Sequence, residues 1–130
     1  MTQSPAIESL FLPGPAGRLE ALLNHGTPGA THAALVCHPH PLFGGTMHNK
    51  VVFHAMKALN GFGFPVLRFN FRGAGLSEGT HDEGRGEVDD VKSALHWLEE
   101  RFRLPIVFAG FSFGAAHGLR AACPDRTSTR

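Results

Sequence analysis

The chain contains no tyrosine, one tryptophan and only two cysteines, whereas phenylalanine occurs eleven times. Two cysteines, Cys37 and Cys123, do not make the disulfide framework of a small secreted domain. Both stand in apolar or helix-like runs, where free buried thiols are expected. No apolar stretch approaches the roughly 20 residues of a membrane-spanning helix. Residues 1–12 lack the basic start and apolar core of a signal peptide. The expectations are therefore no membrane partner and a cytoplasmic location. Charge of either sign is sparse: the net charge is +1 with histidines neutral, and Lys and Arg form no stripe or block. That pattern excludes the electrostatic footprint of a nucleic-acid partner. Internal repeats and low-complexity tracts are also absent. What is present is a chain of 130 residues, 42% apolar, the composition of one globular domain expected to span residues 1–130.

Residues 7–12 and 18–23 read as two short strands around the turn material Pro13-Gly14-Pro15-Ala16-Gly17. Residues 33–37 form a continuous apolar run of the kind that is buried on both faces of a sheet. Residues 49–59 read as a helix with Val52, Ala55, Met56 and Leu59 on one face, stopped by Asn60-Gly61. Residues 64–69 are the next strand, and 72–86 a glycine-rich loop. Residues 87–103 make the clearest helix, with Val88, Val91, Leu95 and Leu98 as its buried stripe and Ala94 beside it. Asp89 and Asp90 near its start, and Arg101 and Arg103 near its end, suit the helix dipole. Residues 106–109 are another buried strand, followed by an expected helix at 113–122 that Pro124 ends. The order is a hairpin, then strand and helix in alternation. It predicts an α/β domain: an N-terminal hairpin followed by a mostly parallel sheet with helices on both faces.

Three segments carry chemistry. Gly110-Phe111-Ser112-Phe113-Gly114 matches G-x-S-x-G between a buried strand and a helix, the context in which that short pattern has meaning. A serine that projects from a tight strand-to-helix turn needs small neighbours, which Gly110 and Gly114 provide. The helix expected to start at Phe113 would point N–H groups at developing negative charge. The second segment is Cys37-His38-Pro39-His40-Pro41-Leu42-Phe43-Gly44-Gly45. Pro39 and Pro41 have no N–H, so His40 and Leu42 are its candidate backbone donors. A metal site on His38 and His40 is disfavoured, because no carboxylate or cysteine stands at ligand spacing. The third segment, Asn70-Phe71-Arg72-Gly73-Ala74-Gly75-Leu76-Ser77, lacks the last glycine of a dinucleotide fingerprint and any Gly-Lys-Ser/Thr. It reads as a structural turn.

Together the three segments resemble the α/β-hydrolase superfamily, over roughly residues 7–123. The third is similar to the family's D-x-R-G-x-G-x-S turn, with Asn70 in place of Asp. The second resembles a branch of small serine hydrolases with an H-P-H-P-x-x-G-G loop. The resemblance implies Ser112 as nucleophile, with the Phe113 N–H and an N–H from the loop (His40 or Leu42) as oxyanion donors. It also implies a small acyl substrate (an ester, thioester or amide) cleaved through an acyl-enzyme, with no metal and no organic cofactor.

The chain departs from that pattern after Ser112. The family order is Ser, then Asp or Glu, then His. Only Asp125 and His117 follow, in reverse order, and His117 lies about 7 Å along the expected helix from the serine. The strands that would bear acid and base need roughly 80 to 100 more residues. Residues 124–130 are polar and without periodicity, and are expected to be a disordered tail. The expectation is a C-terminally truncated hydrolase, weak or inactive as this chain. Two alternatives stand beside it. One is an active enzyme that borrows a base, with His38, His40, His48 and His81 as in-chain candidates, or half of a split hydrolase. The other is a non-catalytic interaction module that self-associates through the exposed edge of strand 106–109.

Overall fold

The computed structural model describes residues 7–39 and 46–110. Five strands and two helices follow in the order β1 (Ile7–Gly14), β2 (Gly17–Asn24), β3 (Ala33–Cys37), α1 (Lys50–Gly61), β4 (Val66–Phe69), α2 (Arg85–Phe102) and β5 (Ile106–Gly110). The hairpin ladder runs to Gly14↔Gly17, so the turn is only Pro15-Ala16 and the strands are longer than sequence alone predicts. Pro13 is tolerated in β1 because β1 is an edge strand.

The five strands form one sheet in the order β1-β2-β4-β3-β5. β1 with β2 and β2 with β4 pair antiparallel; β3 pairs parallel with both β4 and β5. After the hairpin the sheet is therefore parallel, as expected. The whole is mixed, because the hairpin adds two antiparallel pairings, β1 with β2 and β2 with β4, on the far side of β4.

The continuous apolar run of β3 is explained by its central place. Ala33, Leu35 and Cys37 face one core with Leu67, Phe69 and Phe71, against Val91, Ala94 and Leu98 of α2. Ala34 and Val36 face the other with Val66, against Val52 and Met56 of α1. The two helices thus cover opposite faces. Each fully buried Leu or Phe contributes about 1.5–3 kcal/mol. Cys37 is a free thiol with no exposed surface, and burial pushes its pKa far up. We expect Cys37 to resist iodoacetamide in the native protein and to alkylate on unfolding in urea, as read by peptide mass; native labelling of Cys37 would contradict this burial.

α1 begins one residue after the expected start, because Asn49 is its cap: the Asn49 side-chain oxygen accepts from Val51 N at 2.8 Å and Val52 N at 3.4 Å. β4 starts two residues later than expected. Pro65 has no N–H for the ladder, and the Phe64 carbonyl is taken by Asn60 Nδ2 at 2.9 Å. α2 starts two residues earlier, because Glu87 reaches back and accepts from Gly84 N at 3.0 Å and Asp82 N at 2.7 Å. It ends at Arg103, whose φ of 54° is left-handed. Among the described residues, no helix is long and apolar enough to cross a membrane. The helix expected at 113–122 and the tail at 124–130 lie outside the described residues.

Candidate active site

Cys37 is level with Phe69 of β4 on one side and with Gly110 of β5 on the other. All three residues end their strands. His38, the turn from Asn70 and the strand end at Gly110 therefore lie together at the C-terminal ends of three neighbouring parallel strands. α1 carries the chain from β3 to β4, and α2 carries it back across β3 to β5. The connections diverge between β3 and β5, and such a divergence opens a crevice at the C-terminal ends of parallel strands. Gly110 stands on one side of it. Ser112, Phe113, Gly114, His40 and Leu42 lie outside the described residues.

His38, the first residue after β3, is fully buried. Phe71 N donates to its Nε2 at 3.0 Å, so Nε2 carries no proton. The proton sits on Nδ1, which donates to the Pro39 carbonyl at 2.6 Å. The ring also meets Phe71 edge-on at 4.9 Å. Burial lowers its pKa to about 4. With both nitrogens engaged, His38 is neither the free base nor the metal ligand that its sequence position invited; it ties the start of one loop to the start of the next. His48 is exposed beside the N-terminus of α1. His81 lies by α2, its Nδ1 3.1 Å from Glu87 Oε2.

The turn after β4 is held by contacts of Asn70 and Ser77 with Glu20 and Met47 that the sequence does not reveal. Asn70 is buried: its Oδ1 accepts from Met47 N at 2.8 Å and its Nδ2 donates to Glu20 Oε1 at 2.8 Å. Ser77 Oγ donates to the Asn70 carbonyl at 2.6 Å and accepts from Glu20 N at 2.8 Å. Gly75 has φ 53°, and a Cβ there would meet both the Asn70 amide and the Glu20 carboxylate. The structural-turn reading of this segment therefore holds.

Arg72 donates from its backbone N and its guanidinium to Asp90, with Nη2 to Oδ1 at 2.8 Å, and from Nη2 to the Gly86 carbonyl at 2.8 Å. Asp90 is buried, so it is the counter-ion of Arg72 as well as a charge near the start of α2; Asp89 is the exposed one. A signal for this was present. Asp90, Ala94 and Leu98 share one helix face at spacing of four, which places a carboxylate on the buried stripe. Arg68 in β4 is buried too. Its Nη1 donates to the Met47 carbonyl and its Nη2 to Asn24 Oδ1, both at 3.3 Å. Burial lowers its pKa.

A family model for the alpha/beta hydrolase fold matches residues 22–127. A serine hydrolase without a lid from Xanthomonas campestris is 42% identical, with a TM-score of 0.84, over 91% of this chain and 56% of that chain. An alpha-beta serine hydrolase homologue from Coxiella burnetii is 43% identical, with a TM-score of 0.84, over 92% of this chain and 58% of that chain. An uncharacterised protein of Rickettsia prowazekii is 46% identical over 108 residues, which are 82% of this chain and 45% of the relative. The chain thus spans about half the length of these relatives.

Proposed function

Because this chain belongs to the alpha/beta hydrolase fold family, we propose that it carries the nucleophile half of a serine hydrolase that cleaves an ester, thioester or amide. The observation that supports this most is the register: Gly110 lies beside Cys37, so the pentapeptide and the H-P-H-P loop leave adjacent strands. Ser112 Oγ gives its proton to a base and attacks the acyl carbonyl carbon; the bond to the leaving group breaks, the leaving group takes that proton, and water hydrolyses the acyl-enzyme to release the acid and free the serine. The oxyanion takes N–H bonds from Phe113 and from His40 or Leu42, since Pro39 and Pro41 have none to give. No metal or organic cofactor enters this scheme.

The serine hydroxyl needs a base, for it is hardly ionised at neutral pH. His38 is spent on Phe71 N–H and the Pro39 carbonyl. Turnover by these 130 residues is therefore expected to be weak. The test is a fluorophosphonate probe and p-nitrophenyl acetate on the wild type beside Ser112→Ala. Slow covalent label, at most, is expected on the wild type alone, with little turnover. A burst of turnover lost in the variant would mean that a working base is present in this chain or its oligomer. Label or turnover that persists undiminished in Ser112→Ala would sink the proposal, because another group would then be the nucleophile.

A second reading rests on β5, which among the described strands pairs only with β3 and whose five residues are all half-buried. A strand edge of this kind recruits another strand, and the module would then act by self-association. A monomer on size exclusion with cooperative melting would remove this reading.

A further inference from the structure

The turn after β4 opens on an amide, Asn70, and its position links two distant pieces of the chain. On one side it accepts the Met47 N–H, at the downstream stem of the H-P-H-P loop. On the other it donates to Glu20 of β2. Glu20 cannot swing away: its backbone accepts from Asn70 N at 2.9 Å and donates to Ser77 Oγ, and its Oε1 also accepts from Leu76 N at 2.8 Å. Arg68 holds the Met47 carbonyl from the same strand. The backbone of Met47 is thus held at both its N–H and its C=O by β4 and the turn that follows it, while His38 ties the upstream stem.

We infer that Asn70 is a positioning residue for the oxyanion loop, and that Glu20 is what requires an amide there. An amide is the one side chain of this size that accepts from Met47 and donates to Glu20 together. Aspartate at 70 keeps the first bond, but sets two carboxylates in hydrogen-bond contact, where both cannot stay ionised. The inference rests on the reading of that loop as an oxyanion donor. The ionisable groups around position 70 are Glu20 from β2 and Arg68 from β4. His48 and Lys50 at the start of α1 are exposed, and the Arg72 guanidinium is committed to Asp90.

The test compares wild type, Asn70→Asp and the double variant Asn70→Asp with Glu20→Gln, which returns a donor to the pair. Two quantities are read against pH from 5 to 9: hydrogen exchange of the Met47 amide, and the rate of fluorophosphonate labelling at Ser112. In Asn70→Asp the Met47 amide should exchange about tenfold faster at high pH and labelling should slow by a similar factor, both recovering toward low pH. In the double variant the pH dependence of both should disappear, and both should be closer to wild type than in Asn70→Asp at high pH. A constant remainder is expected, because the Glu20 atom that accepts from both Asn70 and Leu76 N cannot both donate and accept in glutamine. Unchanged Met47 exchange in Asn70→Asp overturns the inference, and so does a double variant no better than the single one. If Asn70→Asp does not fold, a folded double variant supports the charge match and an unfolded one refutes it. Label that persists in Ser112→Ala defeats the serine-hydrolase reading, while the exchange data still decide whether Asn70 and Glu20 hold the stem.

Discussion

Asp90→Ala is expected to remove about 3–5 kcal/mol of folding stability, the usual effect of stripping one partner from a buried ion pair. Asp90 has no exposed surface and Arg72 only 9%. The carboxylate accepts from the Arg72 backbone N at 3.0 Å and from both Nε and Nη2. Burial pushes the Asp90 pKa up, against the pull of these Arg72 bonds, so its charge depends on that one guanidinium. Without Asp90, a buried cation keeps only the Gly86 carbonyl as a partner for its Nη2. Domains of this size carry about 5–15 kcal/mol in all, so the variant should lie near its unfolding threshold. Urea titration at neutral pH measures the loss. A drop below about 1 kcal/mol would mean that the pair is solvated in the native protein. Replacing both partners, Arg72→Met with Asp90→Leu, should recover much of the loss, because apolar side chains leave no charge unpaired. Gly86→Ala should be damaging for a related reason: a Cβ there would enter the space of the Arg72 guanidinium.

The second large effect is acid sensitivity set by His38. Its folded pKa of about 4 lies below its ordinary value of 6.5. The unfolded chain therefore takes the proton first as pH falls. The stability that His38 contributes is complete above pH about 6.5, is lost progressively as pH falls toward about 4, and changes no further below that. The full loss is about 3 kcal/mol, from the pKa difference at 1.36 kcal/mol per unit. Geometry supplies a cause besides burial. A proton on Nε2 would face the Phe71 N–H, donor against donor, 3.0 Å away. His38→Gln keeps an acceptor and a donor but does not titrate. Urea midpoints across pH 4–8 should show a steeper acid decline in the wild type than in this variant. Parallel curves would remove His38 as the cause.

Local pattern alone identified the buried run of β3, the stripe of α2, the helix α1 to within a residue at its start and the strand that leads into the G-x-S-x-G segment. These depend on residues within one or two turns of each other, so periodicity and capping chemistry carry them. The same reasoning anticipated the hairpin, the parallel strands and helices on opposite faces, since alternating strands and helices leave few other arrangements. What the tertiary structure decided are pairings between distant segments. Asp90 meets Arg72 across 18 residues, Phe71 meets His38 across 33, and Asn70 meets Glu20 across 50. No local spacing constrains such pairs. Glu20 looks like an ordinary outward residue of a hairpin until β2 is placed beside β4, and His38 looks like a free base until the Phe71 N–H is brought to its ring. Strand order brings these groups together, and strand order is settled by how the whole sheet buries its two faces.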